Sequence, residues 1–368
     1  CLLSRGLGDV YKRQVLRALE IDEQVVSRGF LPRHFIGWSW RSGRMLYKTP
    51  LHPSHQARYG APYVHVHRAD LHALLRSALP AGMVRIAHKV SAVTQEADRV
   101  RVDFENGHVA FADVVVGADG IHSAVRRSLF GDEAPRFTGN ICWRGIIPAE
   151  LLPPGQVLPA SSNWMGPDGH VVTYYLRGGA LVNFVAIRET EAWTGESWTT
   201  PSSKDELLRA FEGWNPRLLA LFERAEGLYK WGLFDRDPLA RWSVGRVTLI
   251  GDAAHPMLPF LAQGAAQALE DSYALADWLT RFPHAPVEAL AAYEAERKPR
   301  TSRIQLGARE RGRTAHLRSP WARLKRDLGF FWQNLTAPGK TSHRAEWIFQ
   351  HDVTQAPRTL EARETARA

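Results

Sequence analysis

Twenty-six residues from Arg246 to Asp271 hold the densest set of groups that can do chemistry in this chain. Val247 to Ile250 is a β-branched and aliphatic run ending in Gly251-Asp252, the pattern of a buried strand that delivers a carboxylate at its carboxyl end. A loop carrying Pro256 and Pro259 follows, and Gly264 and Ala265 open a helical run to Leu279. Ligands of open α/β sheets gather at the carboxyl ends of strands. A helix start there offers free N–H groups and partial positive charge. Asp252 can accept a hydrogen bond from a sugar-like hydroxyl, and the helix start suits an electron-rich ring. Asp is also a favoured helix cap, so a capping role for Asp252 stays open beside ligand contact.

A second strand-to-helix segment, Asp113 to Arg126, places Asp119-Gly120 before a helix, and His67-Arg68-Ala69-Asp70-Leu71 opens another. Together with Trp143-Arg144-Gly145, Trp231 to Trp242 and Trp347 to Asp352, these segments resemble the single-component FAD-dependent aromatic hydroxylases, the group of salicylate and 3-hydroxybenzoate hydroxylases. The similarity runs from about residue 15 to residue 352. It implies an α/β fold: a Rossmann-like FAD-binding domain of the glutathione-reductase type, lacking its first βαβ unit and interleaved with an antiparallel-sheet substrate domain.

What the resemblance implies for single residues is as follows. Gly251 and Asp252 contact the ribityl chain of FAD, while Gly264 and Ala265 set backbone N–H groups against the pyrimidine side of the flavin, where reduction puts negative charge. Pro259 walls the oxygen-reacting carbon. Family members often carry Gly at the position of Ala262. Arg68 gains nothing from the dipole at a helix start and points to FAD; Asp119 is tied to FAD and nicotinamide, or else is a turn or cap residue. His170 falls where some members hold a histidine near the phenol, which a neutral imidazole can deprotonate; a surface turn histidine is the alternative. Tyr174 and Asn183 are weaker substrate candidates, and Arg144 either pairs a substrate carboxylate or braces a domain interface.

The implied reaction is hydroxylation of a small phenolic acid with NAD(P)H and O2 through a flavin C4a-hydroperoxide. The same scaffold acting on a non-aromatic or polyketide-type ring, or a non-catalytic basic binding protein, are the alternatives. No nucleic acid or membrane partner is expected, a homodimer is allowed, and the setting is cytoplasmic. His255-Pro256 has no second ligand at metal spacing, so no metal is expected. No nucleophile elbow is present, and Cys142 lacks a basic environment in sequence, which leaves hydrolase chemistry unsupported.

Composition agrees with a chain of this kind. In 368 residues, 45% hydrophobic, there is room for two interleaved domains. Two cysteines make no disulfide framework. The net charge of +9 is concentrated between Arg297 and Arg326, where interspersed leucines suggest a solvated helical face.

Cys1 to Gln14 does not resemble the family and reads as a non-native leader; Gly6-Leu-Gly8 lacks the third glycine of a dinucleotide fingerprint. The turn that holds the FAD pyrophosphate is therefore expected to be missing, with poor FAD retention. The expected partition is a leader (1–14), FAD-binding parts at 15–136 and 237–300, a substrate domain at 137–236 and a helical end at 301–368. Expected strands include Val64 to His67, Val84 to Ile86, Val90 to Gln95, Val100 to Phe104 and Val109 to Val116, with a turn at Asn106-Gly107. The second region should hold strands at Ile141 to Ile147, Val171 to Leu176 and Leu181 to Ile187, then helices from Ser203 and Pro216. Pro299 should break the long helix from Val287 to Leu317.

Overall fold

The computed structural model describes residues 12–191, 193, 200–336 and 343–356. Residues 1–11, with most of the expected leader and Gly6-Leu-Gly8, lie outside the described residues, as do 337–342 and 357–368 of the helical end. The architecture is mixed α/β.

An eight-stranded sheet dominates, in the order Thr200–Pro201, Tyr229–Asp235, Arg136–Pro148, Leu181–Glu189, Gly169–Leu176, Ala160–Gly166, His34–Ser39 and Met45–Pro50. All neighbours are antiparallel except His34–Ser39 beside Ala160–Gly166. The expected strands of the second region are there, longer than their apolar cores. Two of the eight come from the stretch assigned by sequence to the first FAD-binding part. One face of the sheet packs on the helices Lys204–Ala210 and Pro216–Glu223, through Phe184, Phe211, Trp214, Leu218 and Phe222. Both helices start as their sequences require: Ser203 accepts from the Glu206 N–H, and Asn215 from the Arg217 N–H ahead of Pro216.

The opposite face of the sheet meets the rest of the molecule. There, Val247–Leu249 pairs parallel with Val115–Gly117, and its Leu249 packs in a core with Trp242, Leu275, Trp278 and Tyr293. The hairpin Val90–Gln95 with Val100–Phe104 stands as expected, and Gly107, in the next turn between Val100–Phe104 and Val109–Ala112, takes the positive φ of 82° that this turn demands.

Four expectations are corrected. Val84–Ile86 forms no strand: it is exposed, and Ala87 turns the chain at φ 59°. The run from Val109 splits into Val109–Ala112, which closes the hairpin, and Val115–Gly117, whose Val115 N–H turns to the Arg246 carbonyl. Val64 to His67 makes no strand, only isolated bridges such as that of His65 to Phe30, before the helix Arg68–Ser77. Pro299 breaks nothing: Pro286–Ala315 is one helix, so the boundary at 300 falls inside it. The helix survives because Arg297 and Arg300, on either side of the proline, are anchored in the protein interior. Tertiary packing outweighs the single hydrogen bond that proline removes.

Those anchors also correct the solvated basic face in part: Arg303, Arg313, Arg318 and Lys325 are exposed, but the start of the stretch is not. Arg297 is wholly buried. It donates from Nε to Asp271 (2.9 Å), from Nη1 to Glu270 (2.7 Å) and from Nη2 to Gln267 (2.7 Å). Arg300 reaches Glu270, and Arg309 reaches Asp235 and Asp237. No helix among the described residues is long and apolar enough to cross a membrane.

Candidate active site

The strand Val247–Leu249 ends in a 3-10 turn, Gly251–Ala253. Gly251 has φ 57°, a conformation that favours glycine, and a Cβ there would lie 3.1 Å from that of Ala268. Its N–H donates to Asp271 Oδ2 (3.1 Å), an oxygen that also meets His255 Nε2 at 2.5 Å. The buried lattice around Arg297 therefore fixes the turn that carries Asp252. This role for His255, Glu270, Asp271 and Arg297 was not assigned from sequence. His255 carried a signal in its neighbour Pro256, which invites a metal or base reading; it is a clamp.

Asp252 is not a helix cap. It lies within the 3-10 turn and hydrogen-bonds to no other described residue. Burial pushes its carboxyl above the usual range, against the opposing charges of His255 and Arg68. The chain continues through a second 3-10 turn, Pro259–Leu261, and Ala262 at φ 54°, to the helix Gly264–Arg281. That helix begins at Gly264 as expected, and no side chain caps it. A methyl placed on Gly264 would sit 3.7 Å from Asp252 Oδ1. Carboxylate and open helix start are thus adjacent, as the sequence pattern required.

Arg68 is the first residue of its helix, and its Nη1 is buried with no hydrogen-bond partner. Burial lowers its pKa, with Arg144 adding to the effect and Asp252 opposing it, so both charges lie close enough to act on it. Asp119 stands apart. Its Oδ1 accepts from Ser123 Oγ (2.5 Å) and its Oδ2 from the N–H groups of Ala124 (2.7 Å) and Val125 (3.2 Å). Both oxygens bond the start of the helix Ala124–Phe130, a geometry that supports the cap reading of Asp119.

The sheet supplies the opposite wall. Strand register aligns Asn163, Val172, Val185 and Arg144 in one row across four strands, with Tyr174 and Asn183 paired in the next. Arg144 lies over the Trp231 ring at 5.0 Å. Tyr174 packs on His65, a buried imidazole whose pKa burial lowers to about 3. Asn183 is wholly buried and neither of its side-chain atoms has a partner; Asn163 Oδ1 is likewise unpartnered. Buried amides without partners cost free energy unless something else satisfies them.

His170 is no surface turn residue. It is buried on the same face, its ring centroid 5.1 Å from that of Phe260, next to Pro259. Burial pulls its pKa well below the ordinary value, helped by His316 and Arg311. Cys142, on the same face, is buried and pushed up to about 12, which makes it inert as a nucleophile. Among the described residues, no cluster of His, Cys, Asp or Glu can hold a metal ion.

Comparison with known proteins shows the family. The model of a family described as an FAD binding domain matches residues 14–306. The chain belongs to this FAD-binding family. It is 46% identical over 312 residues to a 3-amino-4-hydroxybenzoate 2-monooxygenase of Streptomyces platensis, covering 85% of this chain and 75% of that protein. A 6-hydroxynicotinate 3-monooxygenase of Bordetella bronchiseptica is 35% identical over 351 residues, 94% of this chain and 84% of its own. Among solved structures, a salicylate hydroxylase substrate complex superposes with a TM-score of 0.81 at 28% identity, covering 99% of this chain and 90% of that one. The protein is an FAD-dependent aromatic monooxygenase with NAD(P)H as co-substrate, on an α/β scaffold of the salicylate hydroxylase type. The residues present fit the cofactor: a carboxylate with no hydrogen bond to another described residue, a buried guanidinium with one unpartnered nitrogen and an uncapped helix start are the groups that a ribityl chain and an electron-rich ring require.

Proposed function

We propose that the space between the Asp252–Gly264 loop and the sheet wall holds a small phenolic acid over the flavin, and that this acid is hydroxylated on its ring. The observation that carries the reading is the Asp252 carboxylate, bound to no other described residue and set against the open start of the helix at Gly264. Gly251, Asp252, Gly264, Ala265 and Arg68 would hold FAD, with Pro259 as the apolar wall beside the ring. When bound, FAD supplies the chemistry of dioxygen activation at the expense of NAD(P)H. The protein's own part is orientation, dryness and one proton. Arg144 attracts the substrate carboxylate, and Asn183 and Tyr174 offer polar contacts from the sheet. His170, kept neutral by burial, takes the phenol proton so that the ring becomes more nucleophilic. Asp119 holds the start of its helix.

The relatives act, by their names, on 3-amino-4-hydroxybenzoate, 6-hydroxynicotinate and 3-hydroxybenzoate. All three are small acids with a ring hydroxyl, and they define the panel for this chain. Consumption of NADH and NADPH with each acid and added FAD should be matched by hydroxylated product. Oxidation that yields only peroxide with every acid defeats the reading.

This chemistry suits a cytoplasmic enzyme, where reduced nicotinamide is available. A homodimer has a surface to use. The helix Pro320–Thr336 turns Trp321, Leu324, Leu328, Phe331, Trp332 and Leu335 outward along one side, with Trp321 80% exposed. A stripe of this size is what an isologous contact with a second copy would cover. Light scattering should give twice the chain mass, falling to one chain in Phe331→Asp.

A further inference from the structure

His170 does not end in the protein interior. Its Nδ1 lies 2.6 Å from Nε2 of His316, the buried residue that terminates the helix Pro286–Ala315. His316 Nδ1 lies 3.1 Å from Oε1 of Glu189, the last residue of its strand, whose side chain is 32% exposed. Glu189 Oε2 accepts from Arg318 Nη2 at 3.1 Å. We propose that His316 and Glu189 form a proton path connecting the buried His170 to solvent, with the surface carboxylate setting the tautomer of both rings. The proposal rests on His170 meeting the substrate hydroxyl, as read above.

Ionised Glu189 can only accept, so His316 carries its proton on Nδ1 and offers a bare Nε2. His170 must then donate from Nδ1, which leaves its Nε2 with a lone pair. A carboxylate at the surface thereby prepares a base two rings away. Loss of the phenol proton breaks one O–H bond and leaves its electron pair on the ring oxygen. The proton binds His170 Nε2, the Nδ1 proton of His170 passes to His316 Nε2, and the Nδ1 proton of His316 passes to Glu189 Oε1 and on to water. Run backwards, the chain returns a proton to that oxygen and restores both tautomers.

The surroundings suit transfer rather than storage. Burial together with the charge of Arg311 disfavours a lasting imidazolium at His170. Glu189 is held below the usual carboxyl range by its bond from His316, burial opposing, with Arg318 assisting. Asp168, the other carboxylate at this end, is paired with Arg318, and its N–H and C=O bond the backbones of His316 and Glu189. Phe260 packs on both rings, at 5.1 and 5.6 Å.

The test uses the full chain with FAD and the chromogenic phenol 4-hydroxy-3-nitrobenzoate as probe. Nitrogen NMR of the histidine rings should show both His170 and His316 protonated at Nδ1. After a pH jump, the bound phenolate should appear at least about tenfold more slowly in His316→Phe and Glu189→Gln, and millimolar imidazole should restore the rate in His316→Phe. A purely structural role gives no such rescue. Should His316→Phe not fold, Glu189→Gln decides by its rate and by loss of the ring tautomers. Unchanged rates and tautomers in the folded variants overturn the path. Failure of the unaltered chain to bind or ionise the probe overturns instead the reading of His170 as the base.

Discussion

Two buried polar regions lie a few residues apart and are built on opposite terms. In the lattice of Arg297, Glu270 and Asp271, every carboxylate oxygen and every guanidinium nitrogen has a partner. On the sheet wall and at the helix start, Asn183, Asn163, Arg68 and Asp252 leave polar atoms unmet by the described residues. A closed network gains rigidity and has nothing left for a ligand. An open one costs stability in the free protein and recovers it when a ligand supplies the missing bonds. The first region is scaffold and the second is site, and substitutions in the two should move different observables.

The largest effect is expected at Arg297. Replacing it by Met strands two buried carboxylates and should cost about 3–5 kcal/mol in a urea or thermal melt. The pH dependence has a definite sign. Burial alone would raise Glu270 and Asp271, yet Arg297, with Arg300 on Glu270 and His255 on Asp271, holds both below their ordinary values. Their contribution is therefore present above the unfolded carboxyl range, near about 4, and disappears as pH falls through the lower folded values. Wild-type stability should drop on that acid limb, and Arg297→Met should flatten it. A mild, pH-independent loss would mean the lattice is not the scaffold.

Asp252 should behave the other way round. Its carboxyl is raised by burial, so the stability linked to it is present below the unfolded value and lost as pH rises through the folded one. Asp252→Asn should leave the flavin-free protein as stable at neutral pH, or more so. FAD affinity, followed by flavin fluorescence, should fall by about 10- to 100-fold, the worth of a hydrogen bond to a charged group. Equal affinity in both proteins would remove Asp252 from the site.

Asn183 gives a smaller version of the same contrast. With both side-chain atoms unpartnered in the core, Asn183→Leu should gain about 1 kcal/mol. KM for the aromatic acid should rise about tenfold while FAD binding is unchanged. A loss of stability instead would show that the amide is satisfied in the free protein and belongs to the scaffold.

How far this division was legible in the sequence depended on distance along the chain. Asp252 and Gly264 are twelve residues apart, and the strand, loop and helix between them leave a local pattern. The hairpin at Asn106-Gly107 is local too. The Arg297–Asp271 bond spans 26 residues and the His170–His316 pair 146, and no periodicity records either. Strands His34–Ser39 and Ala160–Gly166 went unread for a related reason. They pair with each other across more than a hundred residues, and neither alternates cleanly between apolar and polar side chains. Asp119 was legible as a residue but not as a role, because a cap and a ligand contact demand the same side chain at the same place.

Between scaffold and site runs the loop from Pro256 to Gln263, and Ala262 shows to which of the two it belongs. Its backbone sits at φ 54°, ψ 29°, a left-handed conformation adopted by an L-residue with a Cβ. That costs an alanine roughly 1–2 kcal/mol, while a glycine there would lose about 0.5–1 kcal/mol of additional backbone entropy on folding. The difference favours Ala262→Gly by about 0.5 kcal/mol, a small rise in the midpoint of a thermal melt with no change at the Arg297 lattice. The strain is held one residue before the helix cap Gln263 and two before Gly264, so it belongs with the open polar groups as a cost carried by the site. A destabilised Ala262→Gly protein would place the Ala262 methyl among the packing contacts of the scaffold instead, and the boundary between the two regions would move to the far side of this loop.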